Sequence, residues 1–264
     1  SKHLHDYFEK FYSEVFFPYL EEHNIKTVIH LGDCFDVRKG IDYYSLSWAK
    51  RVFFDVLRDK GIELHLIVGN HDIFYKTSLK INAPGLNLAE YDNIQVYDQP
   101  TDASIDGVDV AIFPWICEDN AEQTQTLLRV SRASVAMGHL EIAGFYANQN
   151  YVCETGTDSA IFSQYDVVFS GHFHKRSKRN NITYIGNAYQ MYWNDEGEDR
   201  GFCTFDLVTQ ELEYINNPFP MFHKLYYNES KPQLIKYHTY KDSYVKVIVE
   251  DKSTPHKLSN VVDE

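Results

Sequence analysis

Basic residues are in short supply. The chain of 264 residues carries 25 Lys and Arg against 38 Asp and Glu, a formal net charge of −13. A surface of that sign repels phosphate backbones and anionic lipid, which excludes a protein that coats nucleic acid through bulk charge. It does not exclude one that meets nucleic acid through bound cations. Long apolar runs are missing as well: nothing approaches the roughly 18 residues of a spanning helix, and no basic segment leading into an apolar one opens the sequence. The expectation is a cytoplasmic protein with no membrane partner. The 4 cysteines, Cys34, Cys117, Cys153 and Cys203, form no C-x-x-C pair, which argues against a disulfide framework or a thiolate zinc site. Internal repeats and low-complexity tracts are also absent.

What is present suits one large folded domain: 44% hydrophobic and 24% charged residues. Residues 4–20 carry apolar side chains at Leu4, Phe8, Phe11, Val15, Phe16, Tyr19 and Leu20, the spacing of a helix with one buried stripe. Residues 26–31 read as a short buried strand that stops at Gly32-Asp33, residues 43–60 as a helix stopped by Gly61, and residues 62–68 as a strand ending in Gly69-Asn70. The pattern recurs with a strand at 108–113, a helix capped by Asp119 and running to Arg132, a strand at 134–137 before Gly138-His139, and one at 165–170 before Gly171-His172. Shorter strands at 182–185, 202–206 and 211–215 close the pattern. Strands alternating with helices predict an α/β domain with mostly parallel strands and functional groups at their carboxyl ends. After Asn216-Asn217-Pro218 the texture changes to a Tyr-rich stretch with a strand at 244–249. We read residues 1–216 as the main domain and 217–264 as the beginning of a small second one.

The strand exits carry the chemistry. Gly32-Asp33, Gly69-Asn70-His71-Asp72, Gly138-His139 and Gly171-His172-Phe173-His174 present carboxylate, amide and imidazole groups at one edge of the sheet. Glycine there allows a tight turn and close backbone approach. Asp, Asn and His donors without thiolate favour Mn²⁺, Fe²⁺ or Zn²⁺. A carboxylate shared by two cations is the arrangement used for in-line displacement at phosphorus.

In this order, G-D-x-x-D (Gly32, Asp33, Asp36), G-N-H-D (Gly69 to Asp72), G-H (Gly138, His139) and G-H-x-H (Gly171, His172, His174) resemble the calcineurin-like metallophosphoesterases. More narrowly, GDCFDVRKG, IVGNHD, IFPWICEDN, GHLEIAGF, FSGHFHK, YIGNAY and NPFPMFHK resemble the phage recombination nucleases that belong with the SbcD and Mre-eleven type. The resemblance implies two packed mixed β-sheets flanked by helices, with a small capping domain to follow. It implies a DNA exonuclease and endonuclease of recombination and double-strand-end processing, acting as a homodimer with an SMC-like ATPase of the SbcC or Rad-fifty type. It implies two divalent cations, Mn²⁺ first among them. Asp33 would bridge the pair, Asn70, His139 and His172 would complete one cation's shell, His174 would bind the other, and His71 would act on the leaving oxygen. Asp36 and Asp72 would orient these groups from behind. The family also supplies an Asp-x-His at the end of a first strand. No such strand precedes residues 4–20, and His3, His5 and Asp6 stand in the wrong order for it, so the expectation is a missing N-terminal strand and a first cation short of ligands.

Other residues receive plainer readings. His30 and His65 lie within strands and read as core groups. Lys175, Arg176, Lys178 and Arg179 follow His174 directly and are candidates for contact with the DNA backbone. The aromatics of residues 189–193, Tyr189 foremost, are candidates for nucleotide contact. Two alternatives stand beside the nuclease: a phosphatase or small phosphodiesterase on the same site, and a scaffold of this fold that has lost its cations.

Overall fold

The computed structural model describes residues 2–148, 151–228 and 237–251. The chain enters as one helical run from Lys2 to Glu22 that contains a π-turn at Tyr12–Phe16. Pro18 follows the π-turn closely, and its missing N–H is tolerated where the ladder has already slipped by one residue. The second helical run, Tyr43 to Asp59, begins at an Asp42 cap whose carboxylate accepts from the Ser45 N–H at 2.9 Å, and it has its own π-turn at Lys50–Phe54. The two runs pack through Phe53, whose ring lies 5.1 Å from Tyr12 and 6.0 Å from Phe16 between centroids.

Beneath these helices lies a parallel sheet in the spatial order Thr27–His30, Glu63–Ile67, Ile94–Tyr97. Thr27–His30 and Ile94–Tyr97 are its edge strands among the described residues. A second sheet runs Ser177–Arg179, Ile182–Tyr184, Val167–Ser170, Val135–Gly138, Val108–Phe113, Thr101–Ile105, parallel in its middle and antiparallel at both ends. The central strands are buried along their length, as in Val135–Gly138, because both faces are covered. Leu31 and Ile67 of the first sheet meet Val110, Ile112, Val135, Met137 and Phe169 of the second in one apolar layer. The outer faces are sealed by the helices over the first sheet and by Phe113, Phe162, Tyr165 and Tyr184 over the second.

Several elements differ from the sequence reading. Asp119 does not cap the helix Ala121–Val130: its carboxylate accepts from the Ser78 hydroxyl at 2.9 Å, while Asn120 Oδ1 accepts the Cys117 N–H. The hairpin Ile73–Tyr75 and Ser78–Asn82 was not expected, because its outward residues break the apolar pattern. Beyond Asn216, Phe222–Asn228 pairs in parallel with Tyr244–Asp251. The former strand is fastened to the main body by Gln190, whose Oε1 accepts the Met221 and Phe222 N–H groups at 2.8 and 2.9 Å. Of the expected second domain, residues 229–236 and 252–264 lie outside the described residues.

Candidate metal centre

Four strand exits converge on one point because their glycines let the backbones touch. A Cβ on Gly69 would stand 2.3 Å from the Asp33 amide nitrogen, one on Gly32 would stand 2.3 Å from His139 Nδ1, and one on Gly171 would stand 2.2 Å from the Leu31 carbonyl oxygen. Asp72, 1% exposed, ties the loops together. Its carboxylate accepts from the backbone N–H groups of Gly69, Asp33 and Phe35 at 2.8, 2.9 and 3.0 Å. Burial first, and then the charge of Asp33, push its pKa up to about 6 against the pull of those hydrogen bonds. Asp33 and His172 both sit at positive φ, 55° and 81°, a conformation that L-residues adopt at a cost and that the surrounding loops enforce.

Asp33, His139 and His172 offer ligand atoms that all lie within 4.8 Å of one another. His139 is fully buried, with Nδ1 donating to the Leu31 carbonyl at 2.7 Å. In the neutral imidazole that bond leaves a lone pair on Nε2. Nε2 nevertheless faces Asn70 Oδ1 at 2.9 Å and Asp33 Oδ2 at 3.2 Å. One nitrogen and two oxygens converging on one point are the donor set of a cation, and a divalent metal fits it. Asn70 Oδ1 also faces His172 Nδ1 at 2.9 Å. Burial first, then the neighbouring His139, hold the His172 pKa down to about 4, which keeps that imidazole free to coordinate at neutral pH. Asp33 accepts the His71 N–H at 2.7 Å; although burial opposes ionisation, the neighbouring His139 imidazole and the His71 amide bring its pKa down to about 2.

His174 stands apart from this cluster but lines the same cleft of about 340 Å³, with Asp33, His71 and His172. His71 is partly exposed there, and its Nδ1 lies 2.7 Å from the backbone carbonyl of Asp36, so Nε2 is the nitrogen turned to the cleft. Asp36 thus orients His71 through its main chain; its carboxylate is 3.9 Å away. A deeper cleft of about 700 Å³ continues inward between residues 28–31 and residues 185–189, and Asp33 and His174 line it too. His30 forms part of this wall with no partner for its Nδ1, and burial pushes its pKa down to about 4.

Not every expected contact residue faces the cleft. Tyr189 is absent from the lining beside His71 and stands instead on the wall of the deeper cleft, its ring stacked on Phe8 at 3.8 Å and edge-on to Phe11 and Tyr12. Arg176 turns away, its guanidinium over the Tyr214 ring at 4.7 Å and bonded to Asn216. Lys178 and Arg179 lie exposed on the strand Ser177–Arg179, outside the cleft lining. Only Lys175 of that group lines it, paired with Glu198 at 3.0 Å. His5 is stacked between Tyr44 and Trp48, and His65 bonds the Tyr97 hydroxyl at 2.7 Å. The sequence reading missed Glu141, whose Oε2 is 3.6 Å from His172 Nε2, and Trp115, whose ring covers His139 and His172 at 6.1 and 5.2 Å. Both had a signal in the sequence: Glu141 stands two residues after His139, and Trp115 lies within IFPWICEDN.

Residues 3–176 match the family model of the calcineurin-like phosphoesterases. Exonuclease subunit 1 of Enterobacteria phage T4 is 38% identical over 209 residues, covering 79% of this chain and 61% of that one. The chain therefore spans about three fifths of that relative's length. Among solved structures, an archaeal phosphodiesterase aligns with 76% of this chain and 88% of its own, at 10% identity and a TM-score of 0.38.

Proposed function

The chain belongs to the calcineurin-like phosphoesterase family, and from that premise we propose that it is the nuclease subunit of a DNA-processing enzyme, hydrolysing phosphodiester bonds with two divalent cations, Mn²⁺ foremost. One observation carries the reading: His139 Nε2, Asn70 Oδ1 and Asp33 Oδ2 converge on one point beside an open cleft that Asp33 lines. The likeness to a phage exonuclease subunit supports DNA as the substrate. Bound divalent cations would polarise a phosphoryl oxygen and offset charge on the phosphate.

The chain's own residues supply the rest. Asp33, Asn70, His139 and His172 would hold one cation, with Asp33 shared and His174 turned toward a second. Asp33 is kept ionised by its hydrogen bonds, so it meets cations as a full negative charge. His71, its Nδ1 donating to the Asp36 carbonyl, turns Nε2 to the cleft. Acting as an imidazolium, it would give the Nε2 proton to the departing sugar oxygen. Trp115 shields the ligating imidazoles from water on one side. The deeper cleft lies along Thr27–His30, which has one partner strand among the described residues, and one further extended segment would lie there. An Asp-x-His on such a segment would join Asp33 and His174, which line that cleft, around the second cation. Residues after Asn216 would then begin a capping region, and an SMC-like ATPase and a second copy of the chain would complete the assembly.

The test compares Mn²⁺-dependent hydrolysis of a single-stranded oligonucleotide with that of 4-nitrophenyl phosphate. Cleavage of the oligonucleotide with little monoester hydrolysis is expected. Hydrolysis of the monoester alone would replace the nuclease by a phosphatase.

A further inference from the structure

The loop that follows Gly186 carries an aromatic platform on the rim of the cleft. Tyr192 is 50% exposed and lines the cleft beside His174. Its ring is nearly parallel to the His174 imidazole, 9° between planes and 5.9 Å between centroids, so its outer face is left to solvent. A single exposed Tyr is ordinary on a protein surface. This one differs in being held rigid from below. Asp195, 5% exposed, accepts from the backbone N–H groups of Met191 and Tyr192 at 2.8 and 3.1 Å with one carboxylate oxygen. Its other oxygen pairs with the Arg200 guanidinium at 2.7 Å. Arg200, equally buried, also donates to the His174 carbonyl, and Gln190 donates to the Asp195 carbonyl at 3.0 Å. One buried ion pair therefore fixes both the backbone of His174 and the loop that bears Tyr192.

Charge selects what such a platform receives. Burial first, then the charges of Asp36 and Asp195, raise the pKa of the Tyr192 hydroxyl, and Glu198 pairs with the Lys175 ammonium on the same cleft. A phosphate is repelled from this rim, whereas a flat neutral group meets an open π-face beside the phosphoester-binding imidazoles. We propose that Tyr192 is the stacking platform for an unpaired nucleobase adjoining the scissile phosphate, with Asp195 and Arg200 as its positioning residues. The proposal rests on the nuclease reading and deepens it. A base inside a duplex has both faces covered by its neighbours, so the platform favours DNA whose bases are unpaired near the cleaved bond. Stacking on an aromatic side chain is tolerant of sequence, because every base has a π-face.

The test measures Kd by fluorescence anisotropy for a single-stranded oligonucleotide, and for the same oligonucleotide made of abasic nucleotides, using the full-length Mn²⁺-loaded protein. Tyr192→Ala is expected to weaken binding of the intact strand about tenfold, with Tyr192→Phe and Tyr192→Trp restoring it. On the abasic strand, wild type and Tyr192→Ala should bind alike. An unchanged Kd in Tyr192→Ala would overturn the platform while leaving the nuclease reading intact, as would equal weakening on the abasic strand or no rescue by Phe and Trp. A wild-type protein that binds neither strand would overturn both readings.

Discussion

His71 is the side chain through which turnover should be lost without loss of the site. It contributes a backbone N–H to Asp33 and an imidazole to the cleft, and no metal ligand is assigned to it. His71→Ala keeps the backbone bond. It is expected to lower kcat by about 10²–10⁴-fold, the usual contribution of a positioned acid, with bound metal per chain unchanged by elemental analysis. Loss of metal together with activity would make His71 a ligand instead. Protonation gives a second expectation at this scale. His30 and His172 are both held down to about 4 from an ordinary 6.5, chiefly by burial. Above that ordinary value both are neutral in folded and unfolded chains, and their share of stability is fully present. As pH falls from about 6.5 to about 4, the unfolded chain takes up protons that the folded chain refuses, and that stability is lost, on the order of 2–3 kcal/mol for His30. Asp72, pushed up to about 6, works the other way: its share is lost as pH rises from about 4 to about 6. The difference between wild type and His30→Gln isolates the histidine. In urea titrations of the metal-free protein, the variant should lose less stability than wild type between pH 7 and pH 4. Parallel curves would contradict the buried neutral assignment.

At the scale of elements, the site depends on loops that interlock at their glycines. Gly69→Ala places a Cβ against the amide and carboxylate of Asp33. Backbone cannot yield as a flexible side chain does, so one loop must move, and both Mn²⁺ affinity and Tm should fall. Calorimetric titration with Mn²⁺ is the check, and wild-type affinity in the variant would show that the contact is relaxed at no cost. These loops were legible in the sequence because each is a strand end followed by Gly and a donor residue, a local pattern of adjacent positions. What the pattern could not show is long-range. The carbonyl that sets the His139 tautomer belongs to Leu31, 108 positions away, and it carries no side-chain signature. Tyr189 and Tyr192 sit in one short aromatic stretch, yet Phe8, Phe11 and Tyr12 of the first helix draw the former to the wall of the deeper cleft and the latter stays at the rim. Arg176 is likewise taken by Tyr214 and Asn216 from a hairpin far along the chain. A basic run in sequence does not imply a basic patch in space.

For the whole molecule, the alternation of strands and helices foretold the α/β architecture, and the hydrophobic runs marked most central strands. The edges were harder: Thr101–Ile105 exposes alternate residues, Ser177–Arg179 exposes two in succession, and both are held as strands by their neighbours in the sheet. The charge of −13 keeps its meaning at this scale. A cleft with one lysine, itself paired, offers little general grip on DNA, so affinity is expected to reside in cations, in the rim aromatic and in partner subunits. That places the metal at the centre of function. The most direct test is Mn²⁺-dependent cleavage of a single-stranded oligonucleotide by wild type and by Asp33→Asn, a substitution that keeps the side-chain shape and the bond from His71 while removing the charge. The expected result is cleavage by wild type only when Mn²⁺ is supplied, with both cleavage and Mn²⁺ binding lost in a still folded Asp33→Asn. Cleavage in the presence of a chelator, or at an undiminished rate in Asp33→Asn, would contradict it.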